Sequence, residues 1–144
     1  MTVRYISTRG EAPPLGFADA MLAGLARDGG LYVPQSWPRM EPQDIAAFAG
    51  RSYAEVAADI IGRFTDETVG HADLARMARE AYCSFRHPAV VPLTQLNANT
   101  FVLELFHGPT LAFKDVAMQL LARLMDHALR ARGERRTIVV ATSG

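Results

Sequence analysis

The chain has 144 residues, of which 49% are hydrophobic and 21% charged, the balance of an ordinary soluble domain with a core of its own. Its formal net charge is zero, so electrostatics gives no argument for binding nucleic acid or an acidic membrane surface. No apolar run approaches the roughly 20 residues that a membrane-spanning helix needs, and the first ten residues lack the apolar core of an export signal.

Short elements and tight turns fill the first fifty residues. The pattern predicts a strand over residues 4–7 and, after two prolines, a helix over residues 17–27. A pair of glycines then turns the chain into a second short strand over residues 31–33. Pro42 suits the first turn of a short helix that runs to about residue 49.

Two amphipathic helices are predicted next. Ser52 and Glu55 have the spacing of a capping box, with apolar residues on one helical face behind them. The second helix is predicted over residues 71–85. Cys83 lies near its end among apolar neighbours, and we expect a buried, inert thiol. Because Cys83 is the only cysteine, no internal disulfide is possible, which favours a cytoplasmic protein.

Strands return after Pro88. Residues 90–96 and 100–106 are predicted to form a hairpin, because Asn97 and Asn99 between them tolerate the left-handed backbone of a tight turn. A long helix is predicted to begin near residues 111–113 and to end at Gly133. The four histidines have no metal-ligand spacing, so we assign no metal site.

The end of the sequence has the pattern of a parallel sheet. Residues 137–141 form a continuous apolar run, typical of a strand that is buried on both faces. Thr142, Ser143 and Gly144 then form a turn of small residues at the carboxyl end of that strand, which is where open α/β sheets bind ligands. We therefore predict an α/β fold with a site at this edge.

Lysine occurs once among the fifteen basic side chains, at Lys114, and the other fourteen are arginine. A lysine amine can lose its proton and attack a carbonyl, whereas a guanidinium stays protonated. The predicted first turn of a helix favours the free amine at Lys114, although Asp115 opposes it. Phe106, Leu111 and Phe113 are expected to form apolar walls around the amine. Lys114 is thus a candidate for covalent chemistry, with a solvated surface charge as the other interpretation.

Three segments resemble the threonine synthases, in the right order along the chain. The run LELFHGPTLAFKDVAMQ, residues 103–119, resembles the segment of that family that carries pyridoxal phosphate, with Lys114 at the position of the attachment lysine. YISTRG at residues 5–10 and LGFADAMLAGLARDGGLYVP at residues 15–34 are similar to the amino-terminal domain of the family. The closing ATSG, residues 141–144, resembles the start of a loop that contacts the amino-acid substrate.

The resemblance implies a mostly helical amino-terminal domain over residues 1–90 and, over residues 91–144, the incomplete beginning of a fold-type-II, tryptophan-synthase-β-like catalytic domain. Lys114 would bind pyridoxal 5′-phosphate covalently and act in catalysis. The implied reaction converts O-phospho-L-homoserine and water to L-threonine and phosphate. The implied substrate contacts are Thr142, Ser143 and Gly144.

Length is where the chain departs from the family. Threonine synthases run to several hundred residues, so the resemblance implies an amino-terminal fragment that is inactive by itself. Two alternatives stay open. One is a related phosphohomoserine lyase of the same fold, which product analysis on the full-length protein distinguishes. The other is a non-catalytic binding module built from the helical segment before Pro88, which trapping of a pyridoxyl adduct on Lys114 distinguishes.

Overall fold

The computed structural model describes residues 3–137 and residue 139, which form five helices and two small antiparallel sheets. The predicted α/β class is therefore confirmed. Strand β1, Tyr5–Ser7, pairs with strand β2, Tyr32–Pro34. Between them lies helix α1, Phe17–Ala23.

Helix α1 is shorter than the predicted range of 17–27. It ends at Gly24, whose φ of +68° leaves the helical region. Beyond this glycine, Leu25 pairs with Leu31 in an isolated antiparallel bridge. The extended backbone that this pairing requires excludes a continuing helix.

Three helices follow: α2 over Pro42–Ala46, α3 over Tyr53–Gly62 and α4 over His71–Tyr82. The predicted capping box of α3 is confirmed, since Ser52 N–H donates to Glu55 Oε2 at 2.9 Å and Glu55 N–H donates to Ser52 Oγ at 3.4 Å. These two bonds satisfy backbone donors that a helix start otherwise leaves unpaired.

Helix α4 lies at the centre of the main hydrophobic core. Its buried side includes Leu74, Met77, Ala78 and Ala81, each at most 2% exposed. This side packs against α3 and against the long helix near the end of the chain. Ala78 and Ala81 are small, so the neighbouring helices can approach this side closely.

The last elements are a hairpin and the long helix. Strand β3, Leu93–Asn97, pairs with β4, Thr100–Leu103, so the predicted hairpin is confirmed with shorter strands, both exposed to solvent. Helix α5 covers Asp115–Arg132, and Gly133 ends it in the left-handed conformation, as predicted. Its start is later than expected because Leu111, with a φ of +63°, cannot be helical.

Cys83 is exposed, so the prediction of a buried thiol is wrong. Helix α4 ends at Tyr82, and Cys83 is the capping residue beyond its buried side.

The strand predicted over residues 137–141 falls largely on residues 138, 140 and 141, which lie outside the described residues, so it stays a prediction. None of the helices within the described part of the chain is long and apolar enough to cross a membrane.

The capping box provides a test of the fold. Ser52→Ala removes the side-chain acceptor for Glu55 N–H, and we expect the free energy of unfolding to fall by about 1 kcal/mol. Urea denaturation followed by circular dichroism measures it. Ser36→Ala, at an exposed bend, is the control and should leave stability unchanged. Equal effects of the two substitutions would contradict a specific role of the cap.

Candidate active site

Lys114 occupies the N-cap position of α5, one residue before the helix rather than within its first turn as predicted. Its side chain is exposed, and its backbone carbonyl accepts hydrogen bonds from Ala117 N–H at 3.1 Å and Met118 N–H at 2.8 Å. The backbone of Lys114 is therefore held by the helix while its amine can reach solvent.

The turn that leads to Lys114 is closed by a buried carboxylate. Asp115 is only 4% exposed, and its Oδ2 accepts hydrogen bonds from Thr110 N–H at 2.8 Å and from Thr110 Oγ1 at 2.9 Å. Gly108 lies against the same side chain so closely that a Cβ there would overlap Cβ and Oδ2 of Asp115. The turn thus requires glycine at this position because any side chain would clash with Asp115, and not because the backbone has a positive φ.

The expected apolar walls do not enclose the amine in the described residues. Phe106, Leu111 and Phe113 are 53%, 53% and 64% exposed. All three lie on the segment between β4 and α5. Within the described residues, the prediction that these side chains desolvate Lys114 is therefore wrong.

A carboxylate and a histidine pair just before the turn. Glu104 Oε2 lies 2.6 Å from His107 Nε2, and Glu104 Oε1 accepts a hydrogen bond from Thr94 Oγ1 at 2.8 Å. These hydrogen bonds, first that of His107 and then that of Thr94, lower the pKa of Glu104. The His87 ring lies 5.2 Å from that of His107, measured between centroids. The sequence analysis missed this pair, although its i, i+3 spacing is visible within the lysine motif.

Tyr82 connects the core to the start of α5. Its hydroxyl donates a hydrogen bond to Val116 O at 3.2 Å, across 34 residues of sequence. Burial, and to a lesser degree the neighbouring Tyr53, raises the pKa of Tyr82 to about 12, so the hydroxyl keeps its proton at neutral pH. The first turn of α5 is consequently attached to the end of α4.

The other candidate residues, Thr142, Ser143 and Gly144, lie outside the described residues, and their predicted role in substrate binding stays a prediction. In the described ranges, no group of three or more His, Cys, Asp or Glu side chains is placed to hold a metal ion. Lys114, which follows the turn closed by Thr110 and Asp115, is therefore the candidate site residue that the structure describes.

Comparison with known proteins identifies the family. Residues 4–82, more than half of the chain, match the family described as "Threonine synthase N terminus". The chain belongs to the threonine synthase family. The resemblance seen in the sequence is thereby confirmed for the amino-terminal domain.

Individual relatives extend the likeness to nearly the whole chain. A threonine synthase of Pseudomonas aeruginosa is 56% identical over 142 residues, which cover 99% of this chain and 30% of that protein. A protein of Xenopus laevis named threonine synthase-like 2 is 36% identical over 143 residues, 99% of this chain and 30% of its own length. The chain thus spans about a third of the length of these relatives.

A solved structure matches the fold as well. The crystal structure of a threonine synthase from Brucella melitensis with pyridoxal phosphate bound aligns with a TM-score of 0.90 and 63% sequence identity. The alignment covers 93% of this chain and 29% of that protein. The described helices and small sheets therefore have the arrangement of part of a threonine synthase.

The contact between Gly108 and Asp115 can be tested by adding one methyl group. Gly108→Ala forces the turn apart, and we expect a loss of about 1–3 kcal/mol in the free energy of unfolding, the usual cost of overpacking. Gly62→Ala is the matched control, because its Cβ would meet Leu74 Cδ2 at an ordinary 3.6 Å in a helix, where alanine is favoured. A tolerated Gly108→Ala in urea denaturation would contradict the close contact.

The Glu104–His107 pair predicts a pH dependence of stability. A carboxyl whose folded pKa is lowered contributes stability above its unfolded pKa and loses it as the pH falls through the folded pKa. Wild type should therefore exceed Glu104→Gln in melting temperature at pH 7, and the gap should close below about pH 4. Glu11→Gln, at an exposed carboxyl, is the control. A gap that stays constant on acidification would refute the assignment.

Proposed function

We propose that this chain is part of a threonine synthase that binds pyridoxal 5′-phosphate on Lys114 and converts O-phospho-L-homoserine and water to L-threonine and phosphate. One observation carries the proposal. The only side-chain amine of the chain is exposed at the N-cap of α5, in a chain similar to a solved threonine synthase that has pyridoxal phosphate bound.

The described residues fit covalent attachment of an aldehyde cofactor. Attachment needs a primary amine that reaches solvent and a backbone that does not move, and Lys114 has both, because its carbonyl starts α5 and Asp115 fixes the preceding turn. None of the fourteen arginines of the chain can replace it, since a guanidinium remains protonated and forms no imine under ordinary conditions.

Lys114 has two tasks in this proposal. Pyridoxal phosphate, when bound, supplies an electron sink for charge that develops on the substrate carbons. Lys114 Nζ first holds the cofactor covalently. Once the substrate amine has displaced it, the free Nζ takes up and returns protons during loss of the γ-phosphate and addition of water at the β-carbon. A residue limited to charge pairing cannot do both.

The remaining assignments follow from the sequence resemblance. We assign residues 1–90 to the amino-terminal domain and residues 91–144 to the beginning of the catalytic domain. Thr142, Ser143 and Gly144 are proposed to contact the amino-acid substrate, in keeping with their predicted place at the carboxyl end of a strand.

A related phosphohomoserine lyase is the second candidate. It comes from the sequence resemblance, and the relatives of this chain include a Xenopus laevis protein, 36% identical, that is named threonine synthase-like 2 rather than threonine synthase. The two candidates share the cofactor and Lys114 and differ in the product. Nuclear magnetic resonance of the reaction mixture of the full-length protein separates them, because only a threonine synthase forms L-threonine.

The proposal is tested on the full-length protein by reduction with borohydride and mass analysis of peptides. Wild type should carry a pyridoxyl group on Lys114, and Lys114→Arg should carry none and lose about 10²–10⁴-fold in kcat, as expected for loss of a general acid–base. Arg130→Lys is the control, because it adds a second amine to the exposed side of α5 and should take no label. Unlabelled Lys114 in active wild type would refute the assignment.

A further inference from the structure

Asp115 is the only charged side chain among the buried polar residues of the described chain. A buried carboxylate is costly unless hydrogen bonds replace its water. Over residues 3–137, Asp115 forms no ion pair with a basic side chain, and its partners are neutral donors: Thr110 N–H, Thr110 Oγ1 and, at 3.5 Å, Gln119 Nε2. Asp115 is also the first residue of α5, near the positive end of the helix dipole. Hydrogen bonds from within the turn and from α5 therefore replace the water that the buried carboxylate has lost.

The two short hydrogen bonds make a closed ring. Both end on the same oxygen of Asp115 and both begin at Thr110, five residues earlier, so the backbone between them forms one loop that contains Lys114. Lys114 is the residue directly before the anchor. A shift of the Asp115 side chain would therefore move the point from which the lysine side chain extends.

The loop also contains a residue, Leu111, with an unfavourable backbone conformation. Leu111 has a φ of +63°, a region that residues with a Cβ rarely adopt and that persists only where the surroundings fix it. Its N–H bonds to Gly108 O at 3.2 Å, and Gly108 lies directly against Asp115. The carboxylate, the strained residue and the glycine thus depend on one another, and all three precede or adjoin Lys114.

We propose that Asp115 and Thr110 are positioning residues for the Lys114 amine. Their hydrogen bonds hold the backbone of Lys114 so that Nζ lies where it can bond to the aldehyde of pyridoxal phosphate. This inference rests on the proposed function and goes beyond it, because it assigns a task to two residues that need not touch cofactor or substrate. Their contribution is geometric and acts through Lys114.

The test separates positioning from mere stability by measuring two quantities on the full-length protein. Total bound pyridoxal phosphate is determined after gel filtration, and the fraction attached to Lys114 is determined by borohydride reduction and peptide mass. A variant that only unfolds more easily loses both in proportion. A variant that misplaces Nζ keeps cofactor bound but lowers the ratio of attached to bound cofactor.

Asp115→Ala should lower the equilibrium constant for attachment at least about tenfold, because two hydrogen bonds to a charged group are lost. Thr110→Val, which keeps the backbone N–H but removes the hydroxyl, should lower it about fivefold. If Asp115→Ala does not fold, Thr110→Val alone tests the positioning role. Thr110→Ser retains both donors and should restore the wild-type ratio.

The matched control is Asp126→Ala, which removes an exposed carboxylate that pairs with Arg130 on the same helix and should leave the ratio at the wild-type value. Wild-type ratios in Asp115→Ala and Thr110→Val would overturn the positioning role while leaving the proposed function intact. Absence of any adduct in the wild type would instead overturn the proposed function itself. The two failures are therefore distinguishable.

Discussion

The packing of α4 between α3 and α5 determines where the first turn of α5 can lie. Leu74, Ala78 and Ala81 have no exposed surface, so the three helices have little freedom to slide past one another. At the end of α4, the hydrogen bond from Tyr82 Oη to Val116 O fixes the backbone two residues beyond Lys114. A long-range core thus locates the residue that has the chemistry.

A second, local constraint acts on the other side of the lysine. The core fixes the first turn of α5, after Lys114. The hydrogen bonds between Thr110 and Asp115 fix the turn that precedes the helix. The segment before this turn is held by Glu104 and His107. Lys114 therefore lies between two fixed pieces of backbone although its side chain is exposed, which combines a defined origin with a reachable amine.

Sequence patterns predicted the features that depend on near neighbours. The capping box at Ser52, the hairpin turn and the glycine end of α5 each need only a few adjacent residues, and all three are confirmed. The predicted start of α5 was wrong because Leu111 has a positive φ in a turn that hydrogen bonds from Thr110 to Asp115 close, and periodicity does not reveal such a turn. Exposure of Cys83 depends on where α4 ends relative to its neighbours, again a tertiary property.

Because all basic residues except Lys114 are arginines, chemical labelling of this segment is simplified. Within these 144 residues, reagents that react with primary side-chain amines have a single target, and it is exposed at the N-cap of α5. Among the side chains of this segment, acylating probes and reductive alkylation therefore have one amine target, Nζ of Lys114, without competing lysines nearby in the sequence. The reactivity of that amine can be followed in this segment even where no substrate is at hand.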